Sequence, residues 1–445
     1  MRLDAFGELK PSGDRRWLHG RSETVARTCP FSPAASNEDA LAEARFPAAP
    51  SRDTAIGRYE AAWVGHAAEG GFRAVGSSGG MANWTAAELL RLGLVDAVAH
   101  VAPTPADQDG ELLFRYRISR SLEQLEARAK SRYHPIELSE VIREIRSTPG
   151  RYAVVGLPCF VKAVLLLRAA DPVLRERIVH TLGLFCGHMK SARMVESFAW
   201  QAGTRREDVQ SIDFRHKDAS RPANWYRAAL SLRNGETRLV DWWPLVDGDW
   251  GAGFFQSEAC NFCDDVAAET ADVAFGDAWL EPYSSDGRGT NVVVARHPVI
   301  RDLIGAAIDE GRLALAPVDA DFVRRTQAAG FRQRREGLAL RLASRRCRPV
   351  TPRKRVAPGV AGLTLRRRLV YRLRGQITRW SRRMFWLARF VGRPAVYLVW
   401  ARAALILYQA ATYSRGRLGL AFDRAEAGLN ALSRRVRGAE RRLVS

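Results

Sequence analysis

The residues in this chain best suited to distinctive chemistry are its thiols, and their spacing is uneven. Cys260 and Cys263 stand at C-x2-C spacing, which lets two thiolates reach one metal centre from a single turn of chain. Two thiolates leave a four-coordinate site half built. Cys159, in Gly-Leu-Pro-Cys, and Cys186, in Leu-Phe-Cys-Gly-His, each follow an apolar, strand-like run and are the remaining candidates. A four-thiolate set suits zinc or an iron–sulfur cluster. Structural zinc usually takes two local pairs. One pair plus two scattered cysteines favours a cluster set into a folded enzyme core, with zinc as the second reading. Cys29 and Cys347 fall outside this pattern and are not taken as ligands.

An anion site is the second chemical signal. Ala61–Val64 reads as a strand, Gly76-Ser77-Ser78-Gly79-Gly80 as a flexible turn and Met81–Leu92 as a helix, with Ser77 or Ser78 expected to cap it. That order brings free backbone N–H groups and the positive end of a helix dipole to one place, which suits a phosphate. The plainer alternative is a capped helix after a mobile turn.

The elements around these residues alternate. Strand candidates at Ala97–Val101, Tyr152–Val155, Ile178–Phe185, Ser211–Arg215, Asn291–Ala295 and Leu313–Pro317 are interleaved with helices at Leu138–Ile145, Phe160–Ala169 and Pro298–Glu310. A hairpin is expected over Tyr226–Leu232 and Thr237–Trp242, joined at Asn234-Gly235. The acidic run after Cys263 is compatible with a helix, and Asp319–Arg346 reads as one long helix. The fold class is therefore α/β (mixed α+β), a catalytic core with a helical, Arg-rich C-terminal extension. Residues 1–57 read as an irregular segment. Residues 58–150 and 151–318 form the two parts of the core, 319–352 a helix and linker, and 353–445 the basic extension. Cys159 and Cys186 fall at the carboxyl ends of strands, where open α/β sheets bind ligands.

The charge is localised. The 445 residues carry a net +21, but residues 351–445 hold 22 Lys and Arg against 3 acidic residues, so the preceding body is nearly neutral. In the extension, Leu365, Leu369, Leu373, Ile377, Trp380 and Met384 recur at helical spacing among arginines. That pattern suits an anionic membrane surface, with the helices lying on the bilayer in preference to spanning it; the plainer alternative is a solvated or partner-packed helical extension. Nucleic acid is not expected, because the aromatics sit on the apolar stripe and not among the arginines. No secretory leader is visible and six cysteines are too few for a disulfide scaffold. The expected location is the cytoplasm, peripheral on the inner face of the plasma membrane.

The run Cys260–Arg296 resembles the C-terminal signature of the coenzyme F420 hydrogenase/dehydrogenase beta-subunit family. Ser77–Gly80, Lys130–Tyr133, Val155–Cys159, Leu184–His188 and Ile212–Lys217, with Trp225 after it, resemble that family in the same order, over about residues 58–310. The resemblance implies an oxidoreductase that carries FAD (or FMN) and a [4Fe–4S] cluster. It would pass electrons between the cluster and a hydride-type acceptor, a deazaflavin in the name-giving enzymes and a chlorophyll-type pigment in other relatives. By position it implies Cys159, Cys186, Cys260 and Cys263 as cluster ligands. It places Ser77, Ser78, Gly79 and Gly80 at the flavin phosphates, and Ser131 with Arg132 at a flavin-contacting Ser-Lys pair. Arg215 and Lys217 become a basic pair facing flavin or substrate, and Asp277 caps backbone or flavin groups. A ferredoxin-like segment with repeated C-x2-C motifs, found in many members, is missing from this sequence. A ferredoxin-like or other electron-transfer partner is expected, and a setting in surface-polysaccharide metabolism. The competing class is a non-catalytic metal-binding or scaffold protein that keeps the fold.

Overall fold

In a computed structural model, which describes residues 1–16, 20–105, 112–126, 130–344 and 354–428, the site is positioned by eight strands that form one sheet. In chain order the strands are β1 (Ala61–Ala67), β2 (Ala97–Pro103), β3 (Phe114–Ser119), β4 (Tyr152–Gly156) and β5 (Ile178–Leu184). Next come β6 (Val209–His216), β7 (Arg227–Leu232) and β8 (Thr237–Asp241), a separate antiparallel sheet that contains the expected hairpin. The chain then returns through β9 (Val273–Asp277), β10 (Asn291–Ala295) and β11 (Leu313–Pro317). The large sheet runs β11-β1-β10-β9-β5-β4-β2-β3. Its middle, β9-β5-β4-β2, is parallel. Because β10 is antiparallel to both β9 and β1, β1 points the same way as the parallel block. The carboxyl ends of β1, β9, β5, β4 and β2 therefore open at one edge, where such sheets bind ligands.

Helices cover both faces. Alternate residues of the strands supply the two cores, as the period of two requires. On one face Val98, Ala153, Leu182 and Val293 meet α1 (Met81–Arg91) and, further along the chain, the Pro298–Asp309 helix. On the other, Ala97, Ala99 and Val154 meet α2 (Ser139–Ser147) and α3 (Pro158–Ala170).

Several elements differ from expectation. Residues 1–57 carry two short helices, Glu23–Thr28 and Glu38–Arg45, capped by Ser22 and Asn37 side chains. The acidic run 264–272 is not helical. Its carboxylates are drawn to cations from distant parts of the chain: Asp264 to Lys354 (3.4 Å) and Arg355 (3.5 Å), Glu269 to Arg355 (2.7 Å) and Asp272 to Arg45 (2.6 Å). The expected long helix after Asp319 is three pieces: Ala320–Thr326, Ala328–Arg334 and Glu336–Ala343. It breaks at Gln327 and Arg335. There Gln327 Nε2 donates to the Asp277 carbonyl (2.8 Å) and Arg335 to the Thr54 carbonyl (2.9 Å), both interactions directed to the core.

The extension folds as a helical hairpin, Leu365–Phe390 followed by Pro394–Tyr413. Val370, Ile377, Phe385 and Ala388 of the first helix and Tyr397, Ala401, Tyr408 and Ala411 of the second join a core with Phe198, Phe254 and Phe255. Leu369, Leu373, Ile377 and Met384, expected to face a membrane, are packed on the protein instead. Burying that stripe beside existing aromatic surface is the larger gain, about 25 cal/mol per Å² of apolar area.

Candidate functional site

The turn after β1 is built by close approach. An ideal Cβ on Gly79 would stand 2.7 Å from the Gly65 carbonyl oxygen and 2.8 Å from the Asn291 backbone nitrogen, so only glycine fits against the strand. Gly80 precedes α1 with φ +83°, the left-handed region that glycine enters freely. The serines do not cap α1. Ser77 Oγ accepts from the Ser131 N–H (2.8 Å), and Ser78 Oγ donates to the Thr290 carbonyl (3.0 Å). The role expected of them passes to Asn291, whose Oδ1 accepts from the Met81 N–H (3.1 Å) while its Nδ2 donates to the Gly276 carbonyl (2.9 Å). Asn291 thus clamps the start of α1 to the end of β9. It was invisible as a site residue, because Asn-Val-Val-Val reads only as the start of an apolar strand.

The turn opens on a cavity of about 720 Å³. Ser77, Ser78, Gly80, Ser131, Arg132 and Cys186 are among its walls, and Arg215 and Asp277 meet there as a pair. The Arg215 guanidinium donates to both Asp277 oxygens (2.9 and 3.1 Å) between the rings of Tyr226 and Trp279. Burial alone would pull Arg215 down, but Asp277 more than offsets it and holds the guanidinium above its usual range. Arg132 lies over the Phe114 ring at 4.9 Å; burial lowers it to about 10, so it stays cationic at neutral pH. Gly79 and Lys217 support the wall from behind. Lys217 Nζ donates to the carbonyls of Ser78 (2.8 Å), Arg288 (2.7 Å) and Arg73. It ties the Ser-Gly turn to the 286–289 loop.

The four thiols come from three segments at the same sheet edge. Cys159 lies in the first turn of α3, beyond β4, and Cys186 follows β5. Cys260 sits in the short 3₁₀ turn Glu258–Phe262 and Cys263 ends it. The segments are laced together. The Cys186 N–H donates to the Val266 carbonyl (3.0 Å), and the Met189 N–H donates to Cys260 Sγ (3.3 Å). Burial pushes Cys186 up to about 12 and Cys263 to about 11, and also raises Cys159 and Cys260. For Cys159 the charges of the other three thiols add to that effect, which puts all four in one electrostatic neighbourhood. Among the described residues, no group of three or more His, Cys, Asp and Glu side chains closes on one point as a single metal ion would need.

Arg334, only 2% exposed, was missed by sequence reasoning. It donates to the carbonyls of Cys186 (2.6 Å), Gly187 (2.7 Å) and Asp265 (2.7 Å), and its charge acts on Cys186, Cys260 and Cys263. Burial works against that charge, yet the sulfurs and Asp265 outweigh it and raise the guanidinium. His188 stacks on Trp250 (4.2 Å between centroids), closing the cavity wall beside Cys186. Cys29 is a free thiol at the end of a short helix, and Cys347 lies outside the described residues.

Comparison with known proteins gives two family matches, both to the beta subunit of coenzyme F420 hydrogenase/dehydrogenase. Residues 62–143 match the model of its N-terminal part, and residues 150–321 match the model of its carboxyl-terminal part. No curated protein matches significantly. Among solved structures, a chain of the F420-reducing [NiFe] hydrogenase complex from Methanosarcina barkeri, determined as a xenon derivative, is similar with a TM-score of 0.50 and 17% identity. The similarity covers 66% of this chain and 95% of that one and is a likeness of fold.

Proposed function

Because the chain belongs to the coenzyme F420 hydrogenase/dehydrogenase beta-subunit family, and so is an oxidoreductase, we propose that it is a flavin- and [4Fe–4S]-dependent one, exchanging electrons with a separate carrier. The observation that carries this reading is a shared wall. Cys186, one of four thiols gathered around Arg334, also lines the cavity into which the Ser-Gly turn and the start of α1 open. A group held by the thiols and a group held by the turn would be neighbours.

The residues suit both groups. A cavity of about 720 Å³ lies within the range of cofactor sites, roughly 300–1,000 Å³. With the Met81 N–H held by Asn291, the rest of the first turn of α1, Ala82 and Asn83, and the Arg132 cation line the cavity and offer an anionic cofactor hydrogen bonds and charge. Ser77 and Ser131 hold the two loops of that wall together. The Arg215–Asp277 pair is locked between two rings, so its role is to fix its part of the cavity wall. Lys217 positions the turn from behind. The four thiols share one electrostatic neighbourhood, and four cysteine thiolates are the usual ligand set of an iron–sulfur cluster. Bound there, flavin and cluster supply the exchange between a hydride and single electrons. All five described cysteines are free thiols, which fits a reducing compartment and a cytoplasmic enzyme.

Anaerobic purification tests the proposal. The expected protein is coloured, with flavin and roughly four irons per chain. Cys260→Ser and Cys263→Ser should remove most of the iron and leave the flavin. A colourless protein carrying neither group would reject the redox reading in favour of a scaffold. Full iron in either variant would reject that cysteine as a ligand.

A further inference from the structure

The C-terminal hairpin has two faces, and only one is used by the fold. Between residues 365 and 413 there are eleven arginines and no acidic residue. Six of the arginines are engaged by the protein. Arg374 donates to Gln256 Oε1 (2.9 Å), Arg382 pairs with Glu258 (2.9 Å), and Arg389 pairs with Glu196 (2.9 Å). Arg366 reaches Asp423 (2.6 Å) and Arg367 reaches Glu336 (3.5 Å). Arg368 donates to the carbonyls of Leu363 (3.1 Å) and Val360 (3.2 Å). The other five, Arg372, Arg379, Arg383, Arg393 and Arg402, are on the outside, beside no acidic partner among the described residues.

Large apolar side chains share that outer face. Trp380, Trp386 and Phe390 of the first helix are exposed, Phe390 by 76%. Val399 (70%) and Ile406 of the second are exposed too. Positions 372, 379, 383, 386 and 390 follow helical spacing, as do 399, 402 and 406, so each helix presents one outward stripe of arginines and apolar groups. Of the apolar stripe that the sequence pattern suggested, Trp380 is on this face, whereas Leu369, Leu373, Ile377 and Met384 are packed inward.

We propose that this outer face is a docking surface for an anionic lipid bilayer, and that the protein lies on the membrane through it. The argument is complementarity. Unpaired guanidinium groups interleaved with tryptophan and phenylalanine match the headgroup region, where anionic phosphates and the acyl boundary lie within one side-chain length. The second helix is long and apolar enough to span a bilayer. It does not span, because Tyr397, Ala401, Tyr408 and Ala411 are committed to the core and crossing would tear them out. This inference is independent of the redox reading.

The test uses the full-length protein with vesicles of phosphatidylcholine alone or mixed with phosphatidylglycerol. Co-sedimentation is expected with the mixed vesicles and not with the neutral ones, and it should weaken as salt is raised. Replacing Arg372, Arg379, Arg383 and Arg402 together by Gln should weaken binding by about tenfold or more. Trp386→Gln with Phe390→Gln should also weaken it, while unfolding curves stay unchanged, since all six residues are exposed. Equal binding to both vesicle types, or undiminished binding by the arginine variant, would overturn the proposal. So would a lipid-free dimer that Trp386→Gln with Phe390→Gln dissociates, which would assign the face to a second copy. Vesicle binding is read without flavin or iron, so its failure and that of the redox proposal remain distinguishable.

Discussion

Arg334 places a fixed positive charge among four thiols and joins the Cys186 loop to the loop after Cys263. A cation beside an iron–sulfur group favours its reduced, more negative state. Arg334→Gln should therefore lower the reduction potential of an iron-replete protein by about 50–100 mV, the one-electron equivalent of roughly 1–2 kcal/mol. Arg334→Lys should recover much of it. A spectroscopically monitored redox titration reads this directly, and an unchanged potential in the Gln variant would reduce Arg334 to a structural tie. A second residue, His134, is buried edge-on against Phe114, and burial lowers it to about 4. It is neutral in the fold, while the unfolded chain takes up a proton below about 6.5. Its contribution is whole above that pH and lost as pH falls to about 4, up to roughly 3 kcal/mol. Urea unfolding at pH 7 and pH 4 should show that loss shrinking in a His134→Gln protein. The cysteines were legible in the sequence because thiol spacing is chemistry that does not wait for a fold. Arg334 was not, being one arginine of many whose meaning depends on where a helix breaks.

At the scale of elements, the strands that lead into Cys159 and Cys186 could be read from their continuous apolar runs, the pattern of a doubly covered parallel sheet. What could not be read was competition between long-range partners and local propensity. The acidic run 264–272 has helical composition, yet Asp264, Glu269 and Asp272 are held by Lys354, Arg355 and Arg45 from distant parts of the chain, so it is pulled open. Asp272 is fully buried and accepts from Arg45 and from the Thr181 N–H (2.7 Å). Arg45→Ala would leave that carboxylate short of its cation and should cost about 3–5 kcal/mol by urea unfolding, as loss of one partner of a buried pair does. The Ser-Gly turn is similarly constrained. Gly79→Ala would force the turn off Gly65 and Asn291, and should cost about 1–3 kcal/mol and weaken flavin retention, read by the flavin-to-protein ratio after gel filtration.

The molecule as a whole is not a family core with a loose tail. The matched region ends at 321, yet Arg334 and Arg374, which reach the thiol loops and the His188 wall, come from beyond it. The hairpin also closes a core. Val370, Ile377, Phe385, Tyr397 and Tyr408 are all buried against the Phe254–Phe255 segment and its neighbours. Burying such a side chain stabilises by about 1.5–3 kcal/mol, so five supply roughly 8–15 kcal/mol. That is as large as the whole net stability of a typical domain, about 5–15 kcal/mol. Ending the chain after residue 352 should therefore not release a soluble, working enzyme. The truncated protein should bind a hydrophobic dye and lose its near-ultraviolet aromatic dichroism, because Phe254 and Phe255 are uncovered. Full aromatic dichroism and an unchanged melting temperature in that truncation would instead make the hairpin a detachable appendage, and its packed face would then be free for other partners.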